Sequence, residues 1–259
     1  MELTVIAGEP LGTRAKIAAE AIAFYTGTHL VGAALAENAS ASAIVQAVIA
    51  EWAAGRIGIH WTAPSPTRAA AAIPARVGLG AAVGFGGALL AVVIALLTKG
   101  ATFHGARVSL LTLFISLISA MCFAVKTELL VHGVVVRLMR GVRNPIPTLL
   151  AGGLASTAAI FFGSGATSFD WAIAFAWGVV CTSMWVVFEG AWEAWGAHTS
   201  FLFASTCIFG GGMFDIRAQA TSWGGGERGL FGGGAALVAV SLLAALAFLL
   251  AKKRTSELR

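Results

Sequence analysis

Four long apolar runs, at residues 77–98, 108–125, 171–188 and 230–251, constrain this chain more than any other feature. Each approaches or exceeds the roughly 20 residues a helix needs to cross about 30 Å of hydrocarbon. No water is available there for the backbone, so each run must close its own hydrogen bonds as a helix. The runs are unbroken, which argues against a membrane β-barrel, whose strands alternate over about ten residues.

Composition agrees. Hydrophobic residues make up 58% of the 259 and charged residues 11%, with a mean hydropathy of +0.85. A water-soluble domain carries about 25% charged residues, so a soluble enzyme is excluded, as are a disordered chain and a disulfide scaffold. The formal charge of +5 comes from basic residues flanking the apolar runs. That pattern points to topology signals and anionic lipid, not to nucleic acid. Cys122, Cys181 and Cys207 lie inside apolar stretches without a CxxC pair and read as small buried hydrophobes.

Two weaker runs, 146–163 and 195–214, are rich in Gly, Ser and Thr, which suits helices packed closely against other helices. The expected fold is therefore all-α, a polytopic transmembrane bundle of about six spans. Charge tests the parity. With six spans, Arg14, Lys16, Arg56, Arg68, Arg76, Lys126, Arg137, Arg140, Arg143, Lys252, Lys253, Arg254 and Arg259 fall on one side, and only Lys99, Arg107, Arg217 and Arg228 on the other. The crowded side reads as cytoplasmic and holds both termini.

Residues 1–76 differ in character from the bundle at 77–259. Ala-rich stretches at 15–35 and 41–54 read as helices, but Glu20, His29 and Glu51 interrupt them and Glu37 separates them. An amphipathic pair lying at the interface or capping the bundle is expected, not two further spans. Residues 58–73, with Pro64 and Pro66, read as a linker. The GxxxG spacings Gly80/Gly84 and Gly229/Gly233 suggest close helix packing, and the glycines at 224–226 and 232–234 suggest a turn before the last span.

Ionisable groups at membrane depth call for a functional hypothesis. Glu128 and His132 stand four apart at the end of the second run and share a helix face. They suit a general base with its orienting partner, a pair of metal ligands, or an ion pair where the helix leaves the membrane. His198, early in the run beginning at Trp195 and preceded by Glu189 and Glu193, suits either chemistry or a hydrogen bond to a neighbouring helix. No HExxH, GxSxG or intramembrane Asp pair is present, which argues against zincin, serine and aspartyl mechanisms.

Together, three stretches resemble the CPBP family, the CAAX-protease and bacteriocin-processing group of glutamic-type intramembrane proteases. TELLVHGVVVRLMR (127–140) is similar to its EExxxR motif and EAWGAHTSFLF to its HxxxN motif. WGGGERGLFGGGAALVAVSLL is similar to the glycine-rich turn and last helix of bacterial members. GIHWTAPSP resembles the myxosortase-type branch, implicated in sorting surface proteins. The likeness covers about residues 108–250 and implies a bacterial inner (cytoplasmic) membrane protein. Carried over by position, the family's first motif Glu falls on Thr127, its second on Glu128 and its Arg on His132. Its later His falls on His198 and its Asn on Leu202. The middle motif His is expected near 160–167, where IFFGSGAT contains none.

Thr127 cannot accept a proton at neutral pH, and Leu202 offers no oxyanion donor. The leading expectation is thus an inactive homologue that binds a substrate tail or assists an active protease, with no cofactor. The alternative is a divergent endopeptidase using Glu128, His132 and His198, with a metal possible only in that case. A Glu128–His198 approach within ~4 Å around a polar cavity favours the enzyme; a gap beyond ~8 Å filled by Leu202 favours the inactive form.

Overall fold

The computed structural model describes residues 10–61, 72–106, 109–142, 144–160 and 166–257. Most of the expected linker, and residues 161–165 of the stretch matched to the middle motif, lie outside the described residues. Among the described residues, four helices are long and apolar enough to cross a membrane: Ile73–Leu97, Leu110–Leu138, Ser168–Phe188 and Gly234–Arg254. They coincide with the four strong runs. The chain has the build of a helical integral membrane protein.

Two helices open the described chain, α1 (Leu11–Ala34) and α2 (Ala39–Arg56). The Asn38 side chain caps α2 by accepting from the Ala41 amide. The first strongly apolar helix is α3 (Ile73–Leu97). Next, α4 (Leu110–Thr127) runs unbroken through a π-helical turn, Glu128–Gly133, into α5 (Val134–Leu138). Then come α6 (Pro145–Ile160) and α7 (Ser168–Phe188), the latter opened by a reciprocal Thr167–Asp170 capping box. Glu189 closes α7 in the left-handed region, with φ 55°. After it, α8 (Trp192–Phe203) continues into a second π-helical stretch, Ala204–Gly212, and α9 (Gly234–Glu257) ends the bundle.

Contacts along these helices fix their directions. Gly80 faces Glu193, and Gly84 faces Ala197 and Ser200, so α3 and α8 run parallel. In contrast, Gly152 meets Thr182 and Ser156 meets Gly178, so α6 and α7 are antiparallel. The C-terminal ends of α7 and α9 meet at Glu189 and Arg254, 3.8 Å apart. The far ends of α3 and of the second π stretch are tied by a two-stranded antiparallel ribbon, β1 (Ala101–Ala106) with β2 (Phe214–Ala218). That ribbon is an addition to the all-helical expectation.

Small residues let backbones approach, as the Gly80/Gly84 spacing implied. A Cβ on Gly84 would overlap the Ala197 carbonyl oxygen and the Ser200 hydroxyl. Gly84→Val is accordingly expected to destabilise the protein by about 1–3 kcal/mol through overpacking, read as a lower melting temperature in detergent. An unchanged melt would show that this seam has slack.

The Gly229/Gly233 spacing plays a different part from the helix packing expected of it. Helix α9 begins only at Gly234, and Gly229, with φ 74°, lies in the preceding turn. There Gly233 abuts the backbone of Trp223 to Gly225. A GxxxG match gains its packing meaning only inside a helix, and here the neighbouring glycines favour the turn.

Candidate functional site

The π turn places Glu128 and His132 at the centre of the bundle, not on its rim. Both are fully buried. A π turn has weaker backbone geometry than the α-helix and occurs often at functional sites. Helix α7 contributes Cys181 and Trp185, four residues apart on one face, and α8 contributes His198.

Glu128 joins these groups. One carboxylate oxygen, Oε1, lies 2.7 Å from His198 Nδ1. The other, Oε2, accepts from the Trp185 indole N–H at 2.9 Å and lies 3.1 Å from His132 Nδ1. His132 Nε2 in turn shares a hydrogen bond of 2.8 Å with the Ser156 hydroxyl on α6. The ligand atoms of Glu128, His132, Cys181 and His198 all fall within 4.8 Å of one another. A carboxylate removed from water is costly unless several donors compensate it. Here Trp185 on α7 and His198 on α8 supply them.

All three residues singled out by the sequence are therefore brought together, with Glu128 and His198 inside ~4 Å. Among the described residues, the polar cavity expected with that distance is not formed around them, since the neighbouring cavity is lined by none of the three. The two substituted positions make local hydrogen bonds. The Thr127 hydroxyl donates to the Phe123 carbonyl of its own helix at 3.4 Å. Leu202 is half-buried, and its carbonyl accepts from Ser205 and Thr206. A cavity of about 300 Å³ lies next to the site, lined by residues including Gly133, Arg137, Arg140, Trp185 and Glu189. Trp185 thus forms a partition, with its ring on the cavity and its N–H on Glu128.

Sequence reasoning did not find Cys181, Trp185 or Ser156. The signal available was the spacing of Trp177, Cys181 and Trp185, which forms one stripe on α7. Trp177 uses that stripe to set its ring edge-on to His198, with centroids 6.0 Å apart.

Two flanking ionic contacts hold the frame. Arg76 grips Glu193 with both ends of its guanidinium, at 2.6 and 2.7 Å, and also donates to the Phe188 carbonyl. This pins the starts of α3 and α8 together. Lys126, just before the π turn, donates to Gln46 of α2 at 2.7 Å and sits over the rings of Tyr25 and Phe123. Around it, burial pushes the Tyr25 hydroxyl up to about 12. The His29 imidazole is lowered by burial first and by the Lys126 charge second.

No family model, curated protein or solved structure matches the chain.

Proposed function

We propose that the chain is a divergent CAAX-protease-like intramembrane endopeptidase that cleaves a protein near a transmembrane or C-terminal tail. The observation that carries the reading is the buried Glu128 carboxylate, 2.7 Å from His198 Nδ1 and faced by His132 on its other oxygen. In this reading a water molecule gives its proton to Glu128, and the resulting hydroxide attacks the peptide carbonyl carbon. As the C–N bond breaks, the proton passes to the leaving amine. His198 engages Glu128 through Nδ1–H, and only as the doubly protonated imidazolium does its Nε2–H donate to the oxyanion in place of the side chain missing at Leu202.

The reading includes six spans with both termini cytoplasmic in a bacterial inner membrane. Helix directions support the count, since α8 must return across the bundle for α7 and α9 to run parallel. Helix α6 is short at 16 residues, and α8 reaches spanning length only with its π stretch. Pairing of β1 with β2 fits one shared external side. His198 then lies six residues, about 9 Å, below the cytoplasmic start of α8, within reach of a tail entering from that face. Helix α2 lies along α4, with Ser40 on Ser119 and Gln46 on Lys126, and the lipid bilayer and the substrate tail are the partners.

Thr127 and Leu202 favour a second reading: an inactive homologue that binds such a tail or assists an active protease. A tail-anchored reporter reconstituted with the purified protein in liposomes separates the two. Endopeptidase activity requires cleavage by the native protein and a fall of at least ~10²-fold in His198→Ala. Absence of cleavage, or cleavage indifferent to His198→Ala, overturns the proposal and favours the binding role.

A further inference from the structure

We propose that Glu128, His132, Cys181 and His198 form a binding site for one divalent cation of the zinc type. The inference goes beyond the endopeptidase reading and does not need it.

Donor chemistry comes first. Two imidazoles, a thiol and a carboxylate converge with their ligand atoms inside 4.8 Å. Nitrogen and sulfur donors suit zinc, whereas calcium and magnesium take oxygen. A tetrahedral zinc site with bonds of about 2.0–2.3 Å has ligand-to-ligand edges of about 3.3–3.8 Å. To reach that geometry the His198 and His132 contacts at 2.7 and 3.1 Å must widen by roughly 0.2–1 Å, and the 4.8 Å spread of the cluster must contract by about 1 Å.

A second observation points into the same space. His132 is fully buried, and its Nδ1 has no hydrogen-bond partner, although it faces Glu128 Oε2. Its other nitrogen is engaged by Ser156. If that nitrogen carries the ring proton, Nδ1 presents a lone pair to a carboxylate oxygen, and two acceptors meet with nothing between them. A cation between them satisfies both, whereas without one the ring proton must sit on Nδ1 and Ser156 must donate to Nε2. Ser156 on His132 and Trp185 on Glu128 are the outer contacts that orient metal ligands elsewhere.

Charge balance favours the same conclusion. On binding, Cys181 loses its thiol proton to water and coordinates as thiolate. Thiolate, carboxylate and a divalent ion sum to zero, and a neutral cluster is the easiest kind to hold out of water. Four protein donors leave no open position for water. A bound ion would also occupy the oxygens of Glu128, so the zinc-loaded form is inactive in hydrolysis and the proposed cleavage belongs to the metal-free form.

The test uses the full chain purified in detergent, equilibrated with zinc, freed of excess by gel filtration and assayed for metal. About one zinc per chain is expected, and cobalt in its place should show a thiolate-to-metal absorption band. Cys181→Ser should remove that band and weaken zinc binding at least ~10-fold, while His132→Ala with His198→Ala should abolish retention. Native protein retaining no zinc overturns the proposal, whatever the variants do. So does a cobalt spectrum without the thiolate band. Because metal content is read apart from reporter cleavage, either inference can fail while the other stands.

Discussion

Replacing Glu128 with Gln should lower reporter cleavage by about 10²–10⁴-fold, the range lost when a positioned general base is removed. The amide oxygen can accept from only one of His198 and Trp185, whose bonds of 2.7 and 2.9 Å hold the two carboxylate oxygens now, and the NH2 faces the other, but the side-chain shape is kept. Packing is therefore preserved while proton affinity is lost. The loss should fall on kcat with KM little changed, because the carboxylate acts on water and not on the tail. Measured kinetics in liposomes check this, with a melting curve to show the variant folded. Full activity in a folded Glu128→Gln protein would remove Glu128 from the chemistry.

Arg76→Ala should cost about 3–5 kcal/mol of stability, as expected when one member of a buried ion pair is deleted. Side-chain exposures of 11% for Arg76 and 3% for Glu193 leave the orphaned carboxylate little access to water. The guanidinium also satisfies the Phe188 carbonyl at the end of α7. In a chain of this size such a loss corresponds to a melting temperature lower by about 6–20 °C. The double variant Arg76→Ala with Glu193→Ala should recover at least half of it, since no buried charge then lacks a partner. A double variant as unstable as the single one would mean that packing of the long side chains, not charge compensation, supplies the stability.

The parts of the fold legible in the sequence are those governed by local composition. Hydropathy alone locates α3, α4, α7 and α9, because a spanning helix must be apolar along its whole length. The Ala-rich stretches near the start likewise become α1 and α2 within a few residues of their expected bounds. Segment ATFHGA carried no such signal. It becomes β1 only by pairing with residues more than a hundred positions away, and a bulge between Phe103 and Gly105 breaks its alternation.

The candidate site divides the same way. Glu128 and His132 were visible because charge is rare in an apolar helix and their spacing is local. His198 followed from its flanking motif. Cys181 looked like any small apolar residue until α7 was set in register against the π turn. Likewise Gln46 showed no sign of reaching Lys126 before α2 was laid on α4. Contacts between helices depend on relative rotation, which periodicity within one helix does not encode.

The wide winding from Glu128 to Gly133 carries a genetic consequence. Such a turn holds one residue more than an ordinary helix climbing the same distance. Loss of a single codon there would let regular winding resume and leave the helix on either side in register, while the spacing inside the turn changed. A deletion between Glu128 and His132 would set them three apart instead of four and disturb their shared contact, although hydropathy and length hardly changed. A lineage could silence this centre by one small deletion and still insert the protein normally.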